Sequence, residues 1–140
     1  MYEVVGQFDH ATEMGALAEA LPFSPDPGYG LNQDERILET LFRPYIGGLF
    51  PGKWERVFLS RILPYGSIHD HKDASPLAVP RYHLVLLSNE HSWCMHDNVW
   101  GQLSAGGIYV MEPTLVHAAI NWGCRPRIHL VIDSFGYAAG

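Results

Sequence analysis

Residues 54–73, WERVFLSRILPYGSIHDHKD, combine a strand-like apolar segment with a cluster of polar residues. Together these two features indicate the fold. The first ten of these residues are rich in β-branched and aromatic side chains, which predicts a strand. The segment HDHKD (69–73) then places two histidines and two aspartates at the end of that strand. This is too much polarity for an ordinary buried strand, so it raises the hypothesis of a metal site.

The segments that follow are again rich in β-branched and aromatic residues, and they are separated by turns of Gly, Pro, Asn and Asp. Further strands are predicted at 81–87, 91–95, 98–103, 107–111, 115–120 and 127–133. Residues 9–21 instead have apolar side chains at helical spacing, as do residues 33–43, where Asn32 is the expected N-cap and Pro44 the expected stop. The segment SPDPGYG (24–30) between them is predicted to be a loop.

This order of elements predicts an α+β protein that is mainly β. We expect a double-stranded β-helix, the jelly-roll or cupin-like architecture, with the two N-terminal helices packed on its outer sheet. A chain of 140 residues is the size of one domain. The prediction is therefore a single domain, 1–140, with a helical part at 1–50 and a jelly-roll core at 54–135.

Composition excludes several classes of partner and location. Nine basic residues against fifteen acidic ones give a net charge of −6, which disfavours nucleic acid. No apolar run approaches the roughly 18 residues of a membrane span, and the first ten residues do not have the pattern of a secretory signal. Cys94 and Cys124 lack CxxC spacing and are expected to be free thiols. A cytoplasmic location is expected, whereas the oligomeric state is not indicated.

Three residues of the β region fit a metal-site pattern. Alternate residues of an extended chain point to the same side, so His71 and Asp73 form a His-x-Asp pair, and His117 supplies a distant second imidazole. Two histidines and one carboxylate on one face of an ion are typical of non-haem Fe(II) oxygenases. An alternative frame stays open, in which His69 and His71 contribute to an all-histidine site of the cupin kind.

Arg127 is the second unusual residue of the β region. It opens a strand that otherwise suits the core and lies ten residues after His117. A buried guanidinium requires an anionic partner, and the neighbouring strands offer no obvious carboxylate. The pattern predicts a ligand carboxylate, and hence a dicarboxylate co-substrate.

These residues belong to motifs that occur in a recognisable order. They are G-x-I-x-x-H-x-D from Gly66 to Asp73, R-x-H from Arg81 to His83, H-x-x-x-N from His117 to Asn121, and R-I-H-L-V-I-D from Arg127. Between about Val57 and Asp133 the chain resembles the 2-oxoglutarate-dependent Fe(II) oxygenases of the aspartyl/asparaginyl β-hydroxylase type, which include bacterial free-proline hydroxylases. The animal β-hydroxylases have Gly where this chain has Asp73, so the resemblance favours the bacterial branch.

The resemblance implies the cofactors and the role of each matching residue. Fe(II), 2-oxoglutarate as co-substrate and O2 are expected. His71, Asp73 and His117 would bind the iron, and Arg127 would bind the far carboxylate of 2-oxoglutarate with a hydrogen bond from Ser60. Arg81 and His83 would lie near the metal-bound end of the co-substrate or near the substrate.

The expected reaction is hydroxylation of a C–H bond in an amino acid or an amino-acid residue, with succinate and CO2 as co-products. The expected substrate is a small molecule or a short peptidyl segment. Two alternatives stay open: a cupin-like dioxygenase or isomerase that does not use 2-oxoglutarate, and a ligand-binding jelly roll without activity.

Several other aromatic and histidine residues have weaker assignments. Trp93, Trp100 and Trp122 are expected in the core or in a pocket wall. His129 is expected in the core or behind the site, and His96 in a loop.

Overall fold

The computed structural model describes residues 1–24, 28–74 and 78–139. These ranges contain two helices, α1 (Ala11–Glu19) and α2 (Glu35–Ile46). The strands are β1 (Glu3–Gln7), β2 (Tyr29–Asn32), β3 (Arg56–Ile62), β4 (Ser67–His71), β5 (Arg81–Leu87), β6 (Ser92–His96), β7 (Val99–Gly101), β8 (Gly107–Met111), β9 (His117–Asn121) and β10 (Arg127–Asp133).

The strands form two antiparallel sheets. The larger sheet has six strands in the order β1-β8-β5-β10-β3-β2, and the smaller has four in the order β4-β9-β6-β7. Their facing sides meet through a small apolar cluster of Ile62, Val85, Cys94, Leu103 and Ala119. The predicted jelly-roll, or double-stranded β-helix, fold is confirmed.

Both helices pack on the outer face of the six-stranded sheet, as predicted. Met14 of α1 and Phe42 of α2 are fully buried there with Leu59 of β3 and Leu130 of β10. Because side chains alternate along a strand, the residues between these core positions point towards the smaller sheet. One face of the larger sheet therefore supplies the main core, and the other face is available for a site.

The ends of α2 differ from the sequence prediction. Asp34 is the N-cap and accepts a hydrogen bond from the Ile37 backbone N–H at 3.2 Å, whereas Asn32 belongs to β2 and accepts one from the Asp34 N–H at 2.9 Å. Pro44 lies within the last turn instead of ending the helix. The helix extends beyond it because Ile46 is fully buried in the core.

The turn after β3 also differs from the prediction, and it matters for the site. The HDHKD segment does not continue β3, because residues 63–66 reverse the chain and β4 starts in the other sheet. Tyr65 adopts a left-handed φ of 65°, and Gly66 packs so closely on Gly28 that a Cβ would overlap its carbonyl oxygen. This turn moves His71 across to the sheet that faces β3.

Two edge strands were not predicted from the sequence. β1 and β2 form the two edges of the larger sheet, and β2 begins inside the segment predicted as a loop. Residues 25–27 of that segment lie outside the described residues. Both strands are short, and their sequences give little periodic signal. Pairing with neighbouring strands, rather than local sequence, therefore determines that they form.

The expectation for three tryptophans is wrong. Trp93, Trp100 and Trp122 have 39%, 45% and 63% of their surface exposed, and they lie outside the cavity between the sheets. Trp93 alternates with the inward-facing Cys94, so it occupies the outer face of the smaller sheet. Cys94 and Cys124 are free thiols, as expected.

Neither helix in the described part of the chain is long and apolar enough to cross a membrane.

Candidate metal centre and active site

One cavity between the two sheets contains every site residue proposed from the sequence. Its volume is about 110 Å³. Seven of the residues that line it are those proposed from the sequence: Ser60, His71, Asp73, Arg81, His83, His117 and Arg127.

Strand pairing brings the three proposed metal ligands together. His71 ends β4 and His117 begins β9, and these two residues are direct partners in the β4–β9 ladder. Their ring centroids are 4.1 Å apart. Asp73 follows two residues later, where its backbone N–H donates to the Pro113 carbonyl at 2.8 Å. One ligand atom from each of the three lies within 4.8 Å of the others.

Backbone carbonyls determine which ring nitrogen faces the centre. Nδ1 of His71 is 2.7 Å from the His69 carbonyl, and Nδ1 of His117 is 2.8 Å from the Leu115 carbonyl. A carbonyl only accepts, so each Nδ1 donates its proton, and Nε2 is the nitrogen that faces the centre. The two Nε2 atoms lie 3.6 Å and 3.3 Å from oxygens of Asp73.

This donor set suits a divalent first-row metal such as Fe(II). Two imidazole nitrogens and one carboxylate converge, and three protein ligands leave coordination positions for exogenous molecules. The alternative frame with His69 finds no support in the geometry. The His69 side chain is exposed, and only its carbonyl contributes, by orienting His71.

Asp73 is held as a carboxylate by its neighbours. The hydrogen bond between Asp73 and His117 lowers the pKa of Asp73 well below the ordinary value, burial opposes this shift, and Arg81 lowers the pKa further. The Nη1 of Arg81 donates to Asp73 at 2.7 Å. The aspartate is therefore ionised and oriented before any metal binds.

Arg81 is occupied by carboxylates of the chain itself. Besides Asp73, it binds Asp133 through Nε at 2.8 Å and Nη2 at 2.9 Å, a bidentate arrangement. The pKa of Arg81 is raised because Asp133 and Asp73 outweigh the opposing effect of burial. Arg81 thus lies beside Asp73, and its donors orient this carboxylate rather than await a ligand.

Arg127 has the opposite environment. It is 3% exposed, its Nη2 donates to the Ser60 Oγ at 3.3 Å, and its Nε has no hydrogen-bond partner. No carboxylate of the described ranges pairs with it. Burial lowers the pKa of Arg127, yet a guanidinium stays protonated at physiological pH. The cavity therefore holds a buried positive charge that a ligand carboxylate would neutralise.

The family signature of aspartyl/asparaginyl β-hydroxylases matches residues 41–135, a range that includes all seven of these residues. The chain belongs to this family. The resemblance noted from the motifs is thereby confirmed. No curated protein sequence matches the chain.

Solved structures support the same fold at low sequence identity. An oxidoreductase of the 2OG-Fe(II) oxygenase family from Burkholderia pseudomallei has a TM-score of 0.63 and 17% identity, covering 92% of this chain and 80% of its own. The Cnp3 cupin domain of Schizosaccharomyces pombe has a TM-score of 0.57 and 5% identity, covering 84% and 70%. Salicylate 1,2-dioxygenase from Pseudoaminobacter salicylatoxidans has a TM-score of 0.51 and 12% identity, covering 89% and 31%.

The floor of this β-hydroxylase-family site holds a second pair of histidines. Nδ1 of His83 is 3.0 Å from Nδ1 of His129, and the rings are perpendicular. Burial, followed by the nearby arginines, lowers the pKa of both residues well below 6.5, so both rings are neutral and one donates to the other. His129 thus lines the same cavity, in contact with His83.

The sequence did not reveal several residues of the cavity. Phe58 was accessible to prediction, because it lies two residues before Ser60 and therefore on the same face of β3. Tyr2 and Tyr29 gave no signal, since they flank or begin edge strands outside the family signature. His96 is also not in a loop: it lies in β6 opposite His117, with Nε2 2.9 Å from the Glu112 carbonyl.

Proposed function

We propose that this protein is an Fe(II)- and 2-oxoglutarate-dependent oxygenase that hydroxylates a C–H bond of an amino acid or an amino-acid residue, releasing succinate and CO2. One observation carries the proposal. A convergent His71–Asp73–His117 donor set and an uncompensated buried guanidinium, Arg127, line the same cavity. Family membership supports the oxygenase assignment.

The chain's own groups prepare the metal site. The backbone carbonyls of residues 69 and 115 fix the two imidazoles with Nε2 inward, and Arg81 fixes the carboxylate. When bound together, Fe(II) and 2-oxoglutarate would supply the electrons that O2 activation requires, with 2-oxoglutarate oxidised to succinate and CO2. The three protein ligands would occupy one face of the metal. The remaining coordination positions would be left for ligands from solution.

Arg127 and Ser60 would bind the far carboxylate of the co-substrate. The guanidinium retains unused donors, and the Ser60 hydroxyl, which accepts from Arg127, still has its own proton to donate. Apolar side chains such as Phe58, Ala119 and Val131 form other parts of the wall. They limit water around the reacting groups, which strengthens each electrostatic contact.

The substrate would enter at the side of the cavity where Arg56 lies. This exposed residue contributes to the lining, and its guanidinium lies 4.9 Å from the centre of the Phe58 ring. A cation at this position favours a substrate with a carboxylate, such as a free amino acid or an acidic residue in a short exposed segment. Both belong to the proposed substrate class.

Succinate release tests the proposal directly. We expect Fe(II)-loaded protein to form succinate from 2-oxoglutarate, with faster turnover when the correct amino acid or peptide is added from a screen. His71→Ala and His117→Ala are expected to abolish turnover, whereas His91→Ala, at an exposed position outside the cavity, should retain it.

Two results would overturn the proposal. Metal-dependent O2 uptake without 2-oxoglutarate binding in calorimetry would identify a cupin-like enzyme of another kind. A folded protein that binds neither Fe(II) nor 2-oxoglutarate would be a ligand-binding jelly roll without this activity.

A further inference from the structure

The residue that precedes β1 reaches the interior of the cavity. Tyr2 is partly buried and packs against the cluster of Ile62, Val85, Cys94, Leu103 and Ala119 between the two sheets. Its ring meets the ring of His83 edge-on, with centroids 5.3 Å apart, and tilts against His96 at 5.5 Å. The ring is therefore held on two sides.

The phenol lies among the charged groups of the cavity. Burial, followed by Cys94, raises the pKa of Tyr2, and Arg127 opposes this shift more strongly than Arg81 does. Tyr2, Ser60 and Arg127 line the same cavity. A raised pKa also means that the hydroxyl is protonated and available as a donor.

The hydroxyl of Tyr2 has no hydrogen-bond partner among the described residues. Ring packing against His83 and His96 would be satisfied by Phe, so these contacts give the hydroxyl no role of its own. The Nε of Arg127 likewise lacks a partner in the same cavity. Two donors that line one cavity and have no acceptor among the described residues indicate that an acceptor comes from outside the chain.

We propose that Tyr2 binds the far carboxylate of the dicarboxylate co-substrate, donating its phenol hydrogen beside Arg127 and Ser60. A carboxylate accepts about four hydrogen bonds, so three donors are compatible with one such group. The segment before β1 lies outside the family signature, which begins at residue 41. Co-substrate binding in this chain would thus depend on a residue that the shared motifs do not include. The inference rests on the proposed use of 2-oxoglutarate.

Binding calorimetry tests this inference without any turnover. The full chain, with any tag at its carboxyl end, is loaded with Mn(II) in place of Fe(II) and titrated with 2-oxoglutarate. Tyr2→Phe keeps the ring and removes the donor. A hydrogen bond to a charged group predicts that the dissociation constant rises about tenfold or more, while Mn(II) binding and the melting temperature stay unchanged.

Two controls isolate the hydroxyl. Tyr65→Phe removes a phenol that is 79% exposed and outside this cavity, and it should leave the dissociation constant unchanged. If circular dichroism shows that Tyr2→Phe is unfolded, Tyr2→Leu provides the second variant, and the same loss of affinity is expected.

The outcomes separate this inference from the proposed function. Tight binding by the unmodified chain with equal or tighter binding by Tyr2→Phe overturns the role of Tyr2 alone, and tighter binding would show that the ring competes with the ligand. No binding by the unmodified chain overturns both proposals.

Discussion

Two buried arginines in the same cavity have opposite surroundings. Arg81 and Arg127 are each 3% exposed and lie on the neighbouring strands β5 and β10. Arg81 is saturated by two carboxylates of the chain, whereas Arg127 has one serine hydroxyl and an unpaired Nε. The comparison shows two roles for a buried charge. A charge that is paired within the chain orients the site, whereas a charge without such a partner indicates a missing ligand.

Removal of the saturated arginine should have the largest effect. Arg81→Met leaves the carboxylates of Asp73 and Asp133 unpaired, and breaking a buried pair from one side costs about 3–5 kcal/mol of unfolding free energy. Asp73 is partly exposed, so we expect the lower end of this range. Urea unfolding of the metal-free protein measures the loss. Arg36→Met, at an exposed helix position, is the matched control.

Removal of Arg127, the arginine without a carboxylate partner among the described residues, should affect ligand affinity rather than stability. Arg127→Met is expected to weaken 2-oxoglutarate binding by about a hundredfold, because a charge-assisted contact is lost. The unfolding free energy of the ligand-free protein should stay constant or rise, since an uncompensated buried charge disappears. Calorimetry and urea unfolding measure the two quantities, and Arg125→Met, at an exposed position, serves as control. A loss of stability as large as that of Arg81→Met would contradict the comparison.

The neutral histidine pair makes stability depend on pH. The pKa values of His83 and His129 are lowered by burial, so below about pH 6.5 the unfolded chain binds protons that the folded chain does not. The unfolding free energy of the metal-free protein should therefore fall with decreasing pH below 6.5, by at most about 1.4 kcal/mol per pH unit for each histidine. His129→Leu should reduce this slope and the exposed His91→Leu should not. Equal slopes in all three proteins would show that the pair is not neutral.

The smallest effect concerns the single partner of Arg127. Ser60→Ala removes one hydroxyl and is expected to raise the dissociation constant of 2-oxoglutarate about fivefold, the value of one ordinary hydrogen bond. Ser67→Ala, at an exposed position of β4, provides the comparison in the same titration. An effect as large as that of Arg127→Met would mean that Ser60, rather than the guanidinium, dominates ligand binding.

Local pattern made much of the site predictable. His71 and Asp73 lie two residues apart, and alternation alone predicts that they share a side. The apolar strands around Arg127 predicted its burial, and burial made a ligand necessary. The two helices followed from their periodicity, and the structure places them on the predicted sheet.

Non-local pairing explains what the sequence did not reveal. Arg81 meets Asp133, a residue 52 positions away, because β5 and β10 pair in that register. The turn at 63–66 depends on the close approach of Gly66 to Gly28, a contact across the chain. The exposed tryptophans were misjudged because hydrophobicity does not say which face of a sheet a strand residue occupies.

The sequence by itself determined the types of donor, the strand and helix periodicity and the charge of the ligand that Arg127 requires, because these depend on residue chemistry and near neighbours. Only the tertiary structure decided that Arg81 is saturated, that Arg127 is not, and that Tyr2 enters the cavity. The physical reason is that satisfaction of a buried polar group depends on which distant strands meet around it.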